Sequence, residues 1–329
     1  MLRNKFIKNI PFVSILVIIY CIFLIPLPFY IEKDGGIIPT KDRIKIENGI
    51  ESSGNLYMSY VSEIKATIPN YIISLFNKNW DIINKDDVVS NNESEEEAEF
   101  RSKMLLNESI TNSIIASYSL TGNKIDILKE DCYITYVDAK ANTDLKIHDK
   151  ILKINNMDIT NKSDIANIVK EINKNDILTL EVENNGKFYT RRATLTDFDG
   201  TLAIGIIVTT DRTLNTNPSY SINFKKSESG SSGGLMLALE IYNNLTKTDI
   251  TKNRKIAGTG TIDENGIVGS IGGVKYKLIG AYNEGVDIFI VPNGENYDEA
   301  INVAKEEKIN IKIIGVSTLK DAIEKLKEG

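Results

Sequence analysis

Apolar and polar positions change their period several times along this chain. Ile10 to Ile31 is 22 residues without a charge. At about 1.5 Å per residue it would make a helix of roughly 33 Å, enough for a hydrocarbon core of about 30 Å. Arg3, Lys5 and Lys8 precede the run and Glu32 follows it. That bias predicts residues 1–9 in the cytoplasm, an anchor over 10–31, and the remainder outside. No small-residue cleavage site follows the run, which argues against a cleaved signal peptide. Pro26 and Pro28 are expected to kink its outer end.

Beyond the run, Asn55 to Val61 alternates and carries aromatics, which predicts a strand. Residues 63–80 are ambiguous. Asp81 to Glu99 is polar and acidic, the pattern of a solvated face or loop, and carries no functional expectation. Phe100, Met104, Ile114, Ile115 and Tyr118 recur at helical distances, predicting a helix over about 95–120. Residues 125–196 then give strand, loop, strand, a helix capped by Ser163, and a hairpin turning at Asn185-Gly186. From about 200, strands and helices alternate to the end, so the fold class is α/β (α+β) with some parallel pairing. The elements are LAIGIIVTT, SYSINFK, a helix over 233–245, KIAGTGTID, an Asn265-Gly266 turn, a helix opening near Gly273, VDIFIVP, helix 295–307, INIKIIGV and helix 317–328.

Composition narrows the function. A net charge of −6 and no basic stripe with interleaved aromatics exclude nucleic acid as an expected partner. Cys21 and Cys132 lie far apart and neither has metal-ligand spacing, so neither a disulfide nor a metal is expected. No cofactor is expected either. His148 is the single histidine. It cannot build a histidine zinc site, and no other histidine exists to serve a Ser-His-Asp triad. An activated serine in this chain would need a lysine.

Ser227 to Glu240, SESGSSGGLMLALE, is where such a serine would sit. Glycines and serines feed a helix start, and apolar residues at i, i+3 and i+4 follow. Ser232 then lies where helix-terminal N–H groups and the dipole favour a developing oxyanion. Two further stretches extend the pattern: AGTGTI with Thr259, and IGGVK with Lys275, which lies 43 residues after Ser232. Lys275 has no acid within three positions, whereas Lys277 and Lys252 look solvated.

GSSGGL, AGTGTI and IGGVK at these spacings resemble the proteolytic domain of Lon, whose pattern runs G-P-S-A-G, T-G-E and I-G-G-L-K-E-K. The resemblance implies Ser232 as nucleophile, Lys275 as the dyad lysine and Thr259 as a supporting residue, with Gly230, Ser231 and Gly233 forming the oxyanion loop. Departures are Ser231 for Pro, Gly233 for Ala, Thr261 for Glu and Tyr276 for Glu. LKIHDKILKINNMDI resembles the core of bacterial PDZ domains, with His148 and Asn156 at glycine-like turn positions that tolerate φ > 0. Together with the N-terminal run, the chain is similar to the YlbL/SepM-type membrane-anchored PDZ and Lon-like proteases of Gram-positive bacteria.

The resemblance implies the anchor at 10–31, the N-terminal part of the protease region at 32–124, a PDZ domain at 125–196 and a catalytic core at 197–329. It implies cleavage of extracytoplasmic peptides or proteins, bound through the PDZ edge and an active-site groove. No G-x-x-x-x-G-K-[ST] occurs, so cleavage is expected without ATP. Homo-oligomerisation is left open. Gly54–Val61 resembles the strand that precedes the Lon catalytic core. The PDZ unit is therefore expected to be inserted within the protease domain. If this strand pairs with the sheet carrying SYSINFK, the protease unit is discontinuous, about 40–120 plus 197–329; the alternative is a linker followed by two separate domains. Two other readings exist: an inactive membrane-tethered scaffold, which the presence of Ser232 and Lys275 disfavours, and phosphate binding at the Ser/Gly loop, which lacks the P-loop lysine.

Overall fold

The computed structural model describes residues 2–89, 93–174 and 176–328, with side chains from residue 12 onward except Asp87. Helix α1 (Leu2–Leu24) leads through four residues into β1 (Phe29–Pro39). The apolar run is therefore split. Phe29–Ile31, expected inside the helix, begin a strand, and Ile31 is fully buried. Pro26 and Pro28 supply the reason, because neither can donate a helical hydrogen bond and each disfavours helix at the residue before it. Among the described residues no helix is long and apolar enough to cross a membrane.

β2 (Ile44–Ile46) and β3 (Asn55–Lys65) follow, then α2 (Ile68–Ser74), β4 (Trp80–Asn84) and the short α3 (Lys85–Val88). The ambiguous and acidic stretches thus contain α2, β4, α3 and the start of the next helix; residues 90–92 lie outside the described ones. α4 (Glu95–Thr121) is opened by a capping box, with Ser94 and Glu97 each accepting from the other's backbone N–H, and closed by Gly122 at φ 72°.

β5 (Lys124–Val137), β6 (Lys150–Ile154), β7 (Met157–Asp158), α5 (Lys162–Lys170), β8 (Leu178–Asn184) and β9 (Lys187–Ala193) come next. Asn161, not Ser163, caps α5, its side chain accepting from the Asp164 N–H. His148 and Asn156 have φ of 73° and 65°. The small hairpin β10 (Thr196–Phe198) and β11 (Thr201–Ala203) precedes β12 (Ile206–Asn217). The last third runs β13 (Tyr220–Ile222), α6 (Gly234–Leu245), β14 (Lys255–Gly258), β15 (Thr261–Ile262), β16 (Val268–Gly269), α7 (Val274–Asn283), β17 (Ile288–Pro292), α8 (Glu295–Glu306), β18 (Lys312–Val316) and α9 (Leu319–Glu328).

Two main sheets result. The first has the order β18-β17-β14-β3-β1-β4. Its C-terminal strands pair in parallel through β14 to β3, and β1 and β4 add antiparallel. β3, the strand at residues 55–65, therefore sits mid-sheet between β1 and β14. It does not pair with SYSINFK, whose strand β13 pairs with β2 instead. The second sheet, β12-β5-β6-β8-β9, has its own core around Ile134, Ile154, Leu178, Leu180 and Val182. It takes β12 from beyond residue 196.

α4 joins the two halves, packing on α6 and on the β5–β12 pair. Ser109, Ser113 and Ser117, spaced by four, form one buried face. Their hydroxyls donate to the carbonyls of Ser231, Gly234 and Ala238 at 2.9, 2.8 and 2.9 Å. Small side chains with satisfied hydroxyls let the helices approach closely, and an added Cβ at Gly234 would meet Ser109 Oγ at 2.5 Å.

Candidate active site

Ser232 is half-buried in the turn before α6. Its carbonyl accepts from the Gly260 N–H at 2.7 Å and from Thr259 Oγ at 3.1 Å. Thr259 is fully buried, and its own N–H donates to Ile290 O. The sheet thus holds the serine turn through β14 and the residues just after it. Gly233 lies against Met58 of β3, where an added Cβ would come within 2.6 Å of the sulfur.

Several ties that the sequence did not single out fix the rest of the loop. Arg43 is buried and meets the Glu228 carboxylate through Nε and Nη2, at 2.7–3.0 Å. Burial raises the Glu228 pKa, but the Arg43 bonds and the Lys225 N–H outweigh it and hold the carboxyl below its usual range. Lys103 Nζ donates to the carbonyls of Glu228 and Lys226, and the Gly230 N–H donates to Ser102 O at 2.9 Å. The Gly230 amide is therefore engaged, and the Ser231, Ser232 and Gly233 amides are the ones left to consider for an oxyanion. A glycine at 230 is required by its φ of 86°. The signal for these ties lies in residue pairs up to 185 positions apart, which no local pattern reveals.

Ser232 opens onto a cleft of about 990 Å³. Its walls are Ile37–Pro39 of β1, Met58–Val61 and Glu63 of β3, Ser109 of α4, and the loop from Asn223 to Gly230. Val61 lines this cleft and also abuts the start of α7, where an added Cβ on Gly273 would meet Val61 Cγ2 at 2.6 Å. Gly280, further along α7, lies against the Gly35–Gly36 bulge of β1. These glycines bring α7 down onto the strands that wall the cleft.

The lysines of α7 face differently from the sequence expectation. Lys275 Nζ forms an ion pair with Asp81 on β4 at 3.0 Å and donates to Lys78 O at 3.2 Å. Tyr276 OH also donates to Asp81. Lys275 thus lies at the sheet edge, paired with Asp81. Lys277, expected to be solvated, is only 4% exposed, and among the described residues no other lysine is buried. Burial pushes its amine down to about 8, against the opposing pull of the Glu32 and Glu299 carboxylates. Glu32 and Glu63 face each other across the β1–β3 pair. Burial first raises both carboxyls; Asp81 raises Glu32 further and Glu32 raises Glu63, while Lys277 draws Glu32 back down. Among the described residues no cluster could hold a metal ion.

A second, more apolar cleft of about 450 Å³ lies on the other sheet, between α5 and the outer edge of β12. Ile165, Val169, Phe198, Ile206 and Val208 line it.

Ser232 thus stands half-buried at a helix start and open to this cleft. Residues 225–328 match the Lon protease (S16) C-terminal proteolytic domain, which supports a serine peptidase of this type. The chain is similar to Lon protease of Campylobacter concisus (strain 13826), 38% identical over 95 residues, covering 29% of this chain and 11% of that protein. It is 33% identical over 97 residues to Lon protease of Neorickettsia sennetsu (strain ATCC VR-367 / Miyayama), covering 30% and 11%. With Lon protease of Campylobacter jejuni subsp. jejuni serotype O:2 (strain ATCC 700819 / NCTC 11168), identity is 29% over 132 residues, covering 38% and 16%. The chain thus spans a small fraction of the length of these relatives.

Proposed function

We propose that the chain is a membrane-anchored, ATP-independent serine endopeptidase that cleaves extracytoplasmic peptides or proteins, with Ser232 as nucleophile and Lys277 as its base. The observation that carries the assignment of the base is the burial of Lys277 on a helix pressed against the cleft wall. A neutral amine takes a serine proton best when its pKa lies near the working pH, roughly 7–8. Burial brings Lys277 to about 8, whereas Lys275 lies at the sheet edge in an ion pair with Asp81. Ser232 Oγ attacks the scissile carbonyl as Lys277 accepts its proton. The Ser231, Ser232 and Gly233 amides stabilise the oxyanion. The Lys277 ammonium then protonates the leaving amine, and water hydrolyses the acyl-enzyme with Lys277 again as base. Thr259 acts by anchoring the Ser232 carbonyl.

The second sheet is read as the PDZ-like unit. Its apolar cleft beside the free edge of β12 suits an extended peptide added as a strand. α1 is read as the anchor. Its side chains from Phe12 to Tyr20, with Phe23 and Leu24, are exposed and, Ser14 apart, apolar, as suits a helix surrounded by lipid. The test is mass spectrometry of peptides in culture supernatant from cells carrying wild-type or Ser232→Ala protein. Peptides that depend on Ser232 support the reading; identical supernatants contradict it.

A further inference from the structure

A second apolar surface adjoins α1. α2 packs against α1. From α2 and the turn after it, Ile68, Ile72, Ile73, Leu75 and Phe76 all point outward, with Leu75 60% and Phe76 87% exposed. An exposed run of five large apolar side chains on a seven-residue helix and its turn far exceeds the isolated apolar residues of an ordinary surface. Aromatic residues flank it. Phe29 and Tyr71 have ring centroids 5.5 Å apart, and Lys33 Nζ sits 4.7 Å over the Trp80 ring. An apolar tip bordered by aromatics and a lysine is the arrangement that settles at a lipid–water boundary.

The occupant follows from where this surface lies. Only four residues separate Leu24 of α1 from Phe29 of β1, so the folded part begins at the end of the apolar helix. Apolar groups packed beside that end meet the surface that α1 enters. We propose that α2 and the Leu75–Phe76 turn insert into the outer leaflet as a second contact. This contact fixes the orientation of the peptidase on the membrane. The inference rests on the reading of α1 as a lipid-embedded helix and adds a contact that reading does not require.

Trp80 is the chain's single tryptophan, which permits a site-specific test. The full chain is reconstituted into phosphatidylcholine/phosphatidylglycerol vesicles whose acyl chains are brominated near the headgroup. Two variants are compared in a Trp80→Phe background: Phe76→Trp, and Phe188→Trp on the exposed face of β9. Retained peptidase activity shows that each is folded. Vesicle flotation reports α1 separately from the quenching. Flotation with several-fold quenching of Phe76→Trp and none of Phe188→Trp is the expected result. Flotation without quenching of Phe76→Trp overturns the inference and leaves the anchor intact. Equal quenching of both variants also overturns it, and failure to float overturns both readings.

Discussion

Lys275 and Lys277 differ by two positions, which on a helix is a rotation of about 200°. One therefore faces β4 and solvent while the other faces the sheet. A sequence reading sees two lysines after Gly-Gly and judges them by their neighbours in the chain. Burial, which sets the two amines apart, comes from β1 and β3, more than two hundred residues earlier. The place of Ser232, before a helix and on a cleft, was legible because its signal is local: glycines, a helix start and an apolar stripe. Lys277→Met is expected to abolish peptide hydrolysis, whereas Lys275→Ala should lose the Asp81 ion pair and retain most activity; kcat/KM on one peptide compares them. Stability offers an independent check. An unfolded lysine has a pKa of about 10.4 and folded Lys277 one of about 8. Below pH 8 both states hold the proton, and the folded state bears a cost of roughly 3 kcal/mol. Between about 8 and 10 the folded state alone releases it, so this group's contribution rises with pH. Denaturant melts should find Lys277→Met more stable than wild type at pH 7, with the gap closing towards pH 10.

Helix α4 organises the site at the next scale. Its existence was readable from the spacing of Phe100 to Tyr118, but its role was not, because the serine stripe that meets α6 carries no apolar signal. Those hydroxyls and the Arg43–Glu228 pair hold the Ser232 turn from two sides. Gly234→Ala forces Ser109 Oγ aside and should cost about 1–3 kcal/mol, visible as a fall in Tm. Arg43→Met strands the Glu228 carboxylate in a largely buried place, and losing one partner of such a pair costs about 3–5 kcal/mol. It should also lower kcat more than it raises KM, since the loop carries the proposed nucleophile. Unchanged kcat in a folded Arg43→Met protein would mean that the loop holds its shape without that tie.

Across the whole molecule, the sheet behind the serine turn is built from both ends of the chain. The family match begins at residue 225, yet β14 lies between β17 and β3, and β1 and β4 complete the sheet. The β-α-β rhythm after residue 200 was plain in the sequence. The partner of Asn55–Val61 was not, since strand alternation says nothing about which strand it joins, and the expected pairing with SYSINFK gave way to β1 and β14. The end of the apolar run was similarly obscure, because Phe29–Ile31 suit a buried strand as well as a lipid-facing helix. A fragment of residues 197–329 leaves β14 without β3 and exposes an apolar sheet edge. Expressed alone it should be insoluble or aggregate on size exclusion. A monodisperse, fully active fragment would show that β1, β3 and β4 are dispensable.

The activation of Ser232 by Lys277 is tested most directly by how fast Ser232 reacts with a fluorophosphonate probe as a function of pH. Intact-protein mass spectrometry follows wild type, Lys277→Met and Lys275→Ala. In wild type and Lys275→Ala the rate should rise about tenfold per pH unit and level off near the Lys277 value of about 8. In Lys277→Met it should be slow at every pH up to the plateau. The account is contradicted if Lys277→Met labels at the wild-type rate, or if Lys275→Ala is the variant that loses the profile.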